Sequence, residues 1–263
     1  MKSDILFLSK SDQEIKEISI FIKETLDNSH KKKVVIAVSG GIDSALSLGL
    51  LSKTILLENI YPIFLPYDQQ DMTDARNLVK HLDIPKENWQ EVNIKEIVDS
   101  VVKTQNIGEE DKLRRGNVMS RSRMIIVYDF AKKFNALVCG TENKSEKYLG
   151  YFTRFGDEAS DFEPIMHLYK TQVRQLVKEL GLPKVLLSKA PSAGLWENQT
   201  DEQELGFLYQ DADLIIDQII EKKKDKKKFI KATKISLDTI EKVIKRVASV
   251  NFKHQVPYFL QKK

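Results

Sequence analysis

The apolar positions of this chain keep switching between two spacings. Between residues 12 and 28, Ile15, Ile18, Ile22 and Leu26 recur at helical intervals with Phe21 beside them, which predicts an amphipathic leading helix. Val34 to Val38 is a continuous apolar run rich in β-branched residues, set between Lys31–Lys33 and a glycine pair. It reads as a buried, parallel strand. Asp43 and Ser44 suit a helix start, and Ala45, Leu46, Leu48, Leu50, Leu51 and Ile55 to Leu57 continue it as a helix buried almost all round. Ile60 to Tyr67 predicts a second strand, stopped by Pro66, and Met72, Ala75, Val79 and Leu82 share the face of a crossover helix. Trp89 to Ile94 alternates as a third strand. A loop at Gly108–Asp111 leads into a long helix from about Lys112 to Phe134, and Ala136 to Gly140 is a fourth strand.

Repeated strand–helix alternation predicts an α/β fold with a doubly wound parallel sheet and helices on both faces. Ligands of such sheets bind beyond the C-terminal ends of the strands, where Ser39 and Thr141 fall. From Ser188 to Glu204 periodicity is lost among polar residues, glycine and proline, which predicts a loop of lid type. Two helices follow, one through Leu205, Leu208, Ala212, Ile215 and Ile219 and one through Ile240, Val243, Ile244 and Val247. The expected organisation is a single domain over 1–263, with its core sheet in about 30–190, the lid in about 188–204 and C-terminal helices in 205–263.

Composition narrows the function classes. The chain has 263 residues, 30% of them charged, and a net charge of only +4, enough to suit an anionic nucleotide but no argument for nucleic acid. The lysine run at 222–228 has no interleaved aromatic residue and reads as a solvated connector. Cys139 is the lone cysteine, inside an apolar run, and reads as a buried structural thiol. No membrane span or export signal is visible, so a cytoplasmic protein with no membrane partner is expected.

The candidate chemistry begins at Ser39-Gly-Gly-Ile-Asp-Ser44. Two glycines allow positive φ and close backbone approach, and the helix start that follows presents free N–H groups and a positive dipole end, together an anion site. The S-G-G-x-D-S pattern resembles the pyrophosphate loop of the ATP pyrophosphatases, in which a carboxylate placed like Asp43 can carry Mg²⁺. On the long helix, Asn117 and Arg121 share a face while Arg123 points roughly opposite, so at most one arginine serves a given site directly. Spacing alone reads them as a surface stripe. Gly140-Thr-Glu-Asn-Lys-Ser-Glu146 follows the fourth strand. Glu146 is either a second carboxylate on Mg²⁺ or an acid suited to the dipole of a capped helix start. Gly150 to Asp157 gathers aromatics, glycines, an arginine and an aspartate, suited to a pocket for an aromatic ring, or to a plain connecting loop.

Taken together, SGGIDS, GNVMSRSRM, GTENKSE, GYFTRFGDEASDFEPI, Leu168–Val173, Lys189–Leu195, Gln199–Glu202 and Lys253–Pro257 resemble, in order, the motifs of the NAD synthetases. The resemblance is to the ammonia-dependent type, since no glutaminase domain is present. It implies an adenine-nucleotide hydrolase-like, Rossmann-like sheet and a C–N ligase that amidates deamido-NAD with ammonia, consuming ATP with Mg²⁺. It also implies a homodimer.

Residue by residue, Ser39, Gly40, Gly41, Asp43 and Ser44 match the ATP phosphate loop, and Thr141, Lys170 and Ser192 match other ATP contacts. Asp43 and Glu146 match Mg²⁺ ligands. Arg121, Arg154, Asp161 and Lys253 match positions that hold deamido-NAD. Lys170 would act catalytically as a point charge on the phosphates, and Asp157 would attract ammonium or take its proton near the nicotinate ring. The chain departs from the family's usual residues at Arg154, Ser192, Gly194, Phe252 and His254. Two other classes carry the same loop: ATP pyrophosphatases that amidate or thiolate another nucleotide or tRNA, and a non-catalytic nucleotide-binding sensor.

Overall fold

The computed structural model describes residues 6–196, 198–255 and 257–260. Val256 in the C-terminal motif, Glu197 in the expected lid and both chain ends of the expected domain lie outside the described residues. Four parallel strands, β1 (Lys33–Ala37), β2 (Ile60–Phe64), β3 (Gln90–Glu91) and β4 (Ala136–Cys139), stand in the order β3-β2-β1-β4. The chain leaves β1 toward β2 and β3, then crosses back to place β4 on the other side of β1. The strand order therefore reverses between β1 and β4, and a crevice opens there at their C-terminal ends.

The alternation within β1 explains how both sheet faces are covered. Val34 and Ile36 pack with α1 (Ser11–Asn28), α2 (Ile42–Thr54), α3 (Thr73–His81) and α7 (Lys170–Glu179), through residues such as Ile22, Leu46, Leu78 and Val173. Val35 points the other way, into a cluster with Val98 of α4 (Lys95–Thr104) and Met119 and Ile126 of α5 (Lys112–Phe134). A third cluster joins Leu149 of α6 (Lys144–Leu149) to Ala212 and Ile215 of α10 (Tyr209–Ile215), Phe229 of α11 (Lys226–Thr233) and Ile240 and Val243 of α12 (Leu237–Val250).

Several boundaries differ from the expected ones. The helix after β1 ends at Thr54, because Ile55 is extended (φ −126°, ψ 166°). The third strand shrinks to two residues at the sheet edge. Val92 and Ile94 still donate to Phe64 and Pro66 carbonyls at 3.0 and 2.9 Å, so its pairing outlasts its regular geometry. The helix expected from Leu205 to Ile219 is broken by Gly206 (φ +76°), which ends α9 (Asp201–Leu205). α10 then runs on as a π-helical turn over Ile216–Glu221. The lysine run is exposed throughout, yet its second half opens α11 behind an Asp225 cap.

Candidate active site

The turn after β1 is held by its own side chains. Gly40 takes φ +78°, and a Cβ there would stand 3.1 Å from the Ala75 amide nitrogen, so only glycine sits in this bend without strain. The Gly41 amide donates to Ser39 Oγ at 3.2 Å, and the Ser44 hydroxyl donates to the Gly41 carbonyl at 3.1 Å. The first helical amide of α2 to find its bond within the turn is that of Ala45, to Gly41. The N-terminus of α2 thus faces the crevice with its positive end.

Across the crevice, Asn143 caps α6. Its side chain accepts from the Glu146 amide at 3.0 Å, and Glu146 accepts in return from the Asn143 amide at 3.3 Å. The helix-capping reading of Glu146 is therefore right, and it does not exclude the other. The free oxygen of the Glu146 carboxylate points at Lys170, 2.8 Å away, while Lys170 Nζ also donates to Asp43 Oδ2 at 2.6 Å. Asn143 Nδ2 adds a bond to Asp43 Oδ1 at 2.8 Å. One ammonium and two carboxylates from three separate elements thus meet at one point, with the Lys170 side chain only 4% exposed.

Lys170 is fixed at its backbone as well. Its amide donates to Ser145 Oγ at 2.8 Å, and the Ser145 hydroxyl donates to the buried Asp213, which also accepts from the Thr171 amide at 3.0 Å. Burial raises the Asp213 carboxyl to about 6. Burial alone would lower the Lys170 ammonium, but Asp43 and Glu146 outweigh it and hold its pKa above the usual lysine value. Burial, joined by the charge of Asp43, raises the Glu146 carboxyl against the pull of Lys170. Asp201, not singled out from sequence, joins this group. It is buried, accepts from the Tyr209 hydroxyl at 3.2 Å and the Ala193 amide at 3.1 Å, and its pKa is raised by burial. Tyr209 lays its ring 5.1 Å from Lys170 Nζ.

A second group surrounds the loop after α6. Asp157 accepts from the Ser120 hydroxyl and, at 2.9 Å, from the Thr153 amide. Arg121 donates through Nε and Nη2 to the Arg154 carbonyl at 3.3 and 3.2 Å. The Arg154 guanidinium lies 5.6 Å from the rings of both Phe155 and Phe252. Lys253 Nζ donates to the carbonyls of Gly150 and Phe152, each at 2.7 Å, and stands 4.8 Å over the Phe152 ring. Burial lowers the Lys253 pKa.

Arg123 indeed diverges from Arg121, running inward to the Leu65 carbonyl at 3.1 Å and Gln70 Oε1 at 3.0 Å. Asp161 stands apart from both groups in its bonding: its Oδ2 takes the Val138 amide of β4 at 2.7 Å. Thr141 is half-buried at the end of β4, on the crevice. Ser192 is exposed in the expected lid and accepts from the Gly194 amide at 3.1 Å. That loop is tethered rather than free: Leu195 packs against Gly116, the Leu195 amide bonds Gln199 at 2.8 Å, and Lys189 pairs with Asp74.

The model of the family described as NAD synthase matches residues 14–257, nearly the whole chain. The chain belongs to the NAD synthase family. Among its curated relatives, the NH(3)-dependent NAD(+) synthetase of Thermococcus kodakarensis is 41% identical over 244 residues, covering 92% of this chain and 94% of that one. The protein of the same name from Fusobacterium nucleatum is 38% identical, covering 95% and 97%. Two solved structures share the architecture of this NAD synthase-family chain. NMN synthetase from Francisella tularensis has a TM-score of 0.80 and 31% identity over 96% of this chain and 99% of that one. NH3-dependent NAD synthetase from Campylobacter jejuni has 0.79 and 29% over 95% and 99%. Among the described residues no helix is long and apolar enough to cross a membrane.

Proposed function

We propose that this NAD synthase-family chain amidates deamido-NAD to NAD with ammonia, consuming ATP and releasing AMP and pyrophosphate. The observation that carries the reading is the convergence of Lys170, Asp43 and Glu146 beside the S-G-G turn. A carboxylate oxygen is a poor leaving group, and the nicotinate carboxylate gains a good one by attacking the α-phosphorus of ATP. Ammonia then attacks the acyl carbon, and AMP leaves.

In this reading Ser39, Gly40, Gly41, Ser44 and the α2 N-terminus seat the phosphates, with Thr141 and Ser192 as further ATP contacts. Lys170 neutralises charge as it moves onto pyrophosphate. Asp43 and Glu146 fit Mg²⁺, since they already aim at one cation and two carboxylates with phosphate oxygens are a usual magnesium environment. When bound there the ion would stabilise the negative charge that gathers on the departing pyrophosphate. Arg121, Arg154, Asp161 and Lys253 hold deamido-NAD, of which Asp161 would do so with the oxygen that β4 leaves open. Asp157, oriented by Ser120 and Thr153, draws ammonium toward the nicotinate ring. Closure of the 188–204 loop excludes water from the intermediate. The active unit is a homodimer in the cytoplasm.

A mononucleotide substrate is the second reading, favoured by the likeness to a structure named NMN synthetase. The deciding experiment measures AMP release with ATP, ammonium and either deamido-NAD or nicotinate mononucleotide. AMP release that requires both deamido-NAD and ammonium supports the proposal. Release with the mononucleotide alone moves the substrate assignment, and no AMP release with either one points to a sensor or to an ATP pyrophosphatase acting on another substrate.

A further inference from the structure

Between Thr141 and Asn143, at the end of β4, stands a carboxylate that none of the roles above uses. Glu142 is 5% exposed, and neither of its oxygens accepts a hydrogen bond. Among the described residues it is the one buried acid left so. Asp213 and Asp201 each take two donors, and Glu163, its neighbour, takes the Glu142 amide at 3.0 Å and the Ser160 hydroxyl at 2.7 Å. The nearest cation to Glu142 is Lys147, 3.7 Å from Oε2 and itself stationed 5.5 Å from the Phe152 ring. A buried carboxylate with no donor carries a desolvation cost that a ligand bearing N–H groups would remove. Gly140 lets Glu163 close up beside it, since a Cβ there would lie 1.7 Å from Glu163 Oε1. Among the described residues no group of three or more His, Cys, Asp and Glu side chains gathers around Glu142 to hold a metal ion. A small hydrogen-bond-donating cation fits better.

We propose that Glu142, backed by Glu163, is the ammonium receptor of this chain: its free oxygens bind the cation and accept one of its protons. This deepens the amidation reading and rests on it. One N–H bond of ammonium breaks, its electron pair stays on nitrogen, and the proton moves to a Glu142 oxygen. The neutral ammonia so formed has the lone pair needed to attack the acyl carbon, and the proton returns to solvent afterwards. The surroundings suit the exchange. Burial raises the Glu142 carboxyl to about 8, with Lys147 opposing and Glu163, Glu146 and Asp157 reinforcing the rise. Lys253, from the C-terminal side, also faces the group. Burial likewise raises Glu163 to about 7, against the bonds from Ser160 and the Glu142 amide. Asp157 then gathers the cation at the substrate ring, and Glu142 makes it nucleophilic.

The test is Glu142→Gln assayed with ammonium chloride and with hydroxylamine, a nucleophile uncharged at neutral pH, alongside deamido-NAD-dependent ATP–pyrophosphate exchange. The expected result is a rise of about ten- to a hundredfold in KM for ammonium, as loss of a charge-assisted bond implies. The rise should shrink as pH increases and be absent with hydroxylamine, while exchange continues. An unchanged ammonium KM and pH profile overturns the proposal, and so does an equal loss with both nucleophiles. If Glu142→Gln does not fold, Glu142→Asp serves: it keeps the proton acceptor, so the pH profile should hold while KM rises, and a profile lost with the carboxylate still present overturns the proposal. Absence of exchange in the unaltered protein would instead refute the amidation reading itself.

Discussion

Lys170 Nζ lies 2.6 Å from Asp43 Oδ2, bridging the helix that follows β1 to the first turn of α7 across 127 residues of chain. With Glu146 on its other side, the ammonium is satisfied only while both carboxylates remain. Lys170→Met should strand two acids whose side chains are only 17% and 15% exposed and cost about 3 kcal/mol, because breaking such a pair leaves uncompensated charge. Denaturant titration checks it, and activity should fall about a hundredfold or more from the lost stabilisation of developing phosphate charge.

Gly40 tests the phosphate turn separately from its charges. At φ +78° an alanine carries the left-handed penalty of about 1–2 kcal/mol. Its Cβ also presses on the Ala75 amide at 3.1 Å. Gly40→Ala should lower stability by that amount in a thermal melt and raise KM for ATP more than KM for deamido-NAD.

Glu163 gives stability a pH dependence of definite sign. Its folded carboxyl keeps a proton up to about 7, whereas a glutamate in the unfolded chain loses it near 4.5, so in that interval the folded state binds more protons than the unfolded one. Its contribution is therefore fully present below 4.5 and is lost as pH rises toward 7. Glu163→Gln should flatten the fall in stability across that window, measured by denaturant midpoints at a series of pH values.

Much of the fold was legible because its core elements bury long periodic runs. α5 is Lys112–Phe134 as its periodicity indicates, and β1 and β4 lie within one or two residues of their expected spans. α4 was missed: only Val98 and Val102 are buried in it, while Ile97 and Val101 face solvent and blur the stripe. α7 was missed because its apolar face is carried by Val173, Leu176 and Val177 among polar residues. In the site, helical geometry separated Arg121 from Arg123 correctly, but it could not say that Arg123 is the one turned inward and half-buried. Spacing could not join Asp43 to Lys170 or bring in Asp201, since those contacts depend on how α2, α7 and α9 are packed. Asn143 had a readable signal: an Asn three residues before Glu146 is a capping-box pattern, and the same side chain also holds Asp43.

The central claim is that the turn at Ser39–Ser44 and Asp43 seat ATP for adenylation of a nicotinate carboxylate. The most direct measurement is ATP–pyrophosphate exchange dependent on deamido-NAD, compared between the unaltered chain and Asp43→Ala. Exchange in the former and its loss in the latter, with the fold intact by circular dichroism, is the expected result. Normal exchange in Asp43→Ala would contradict it.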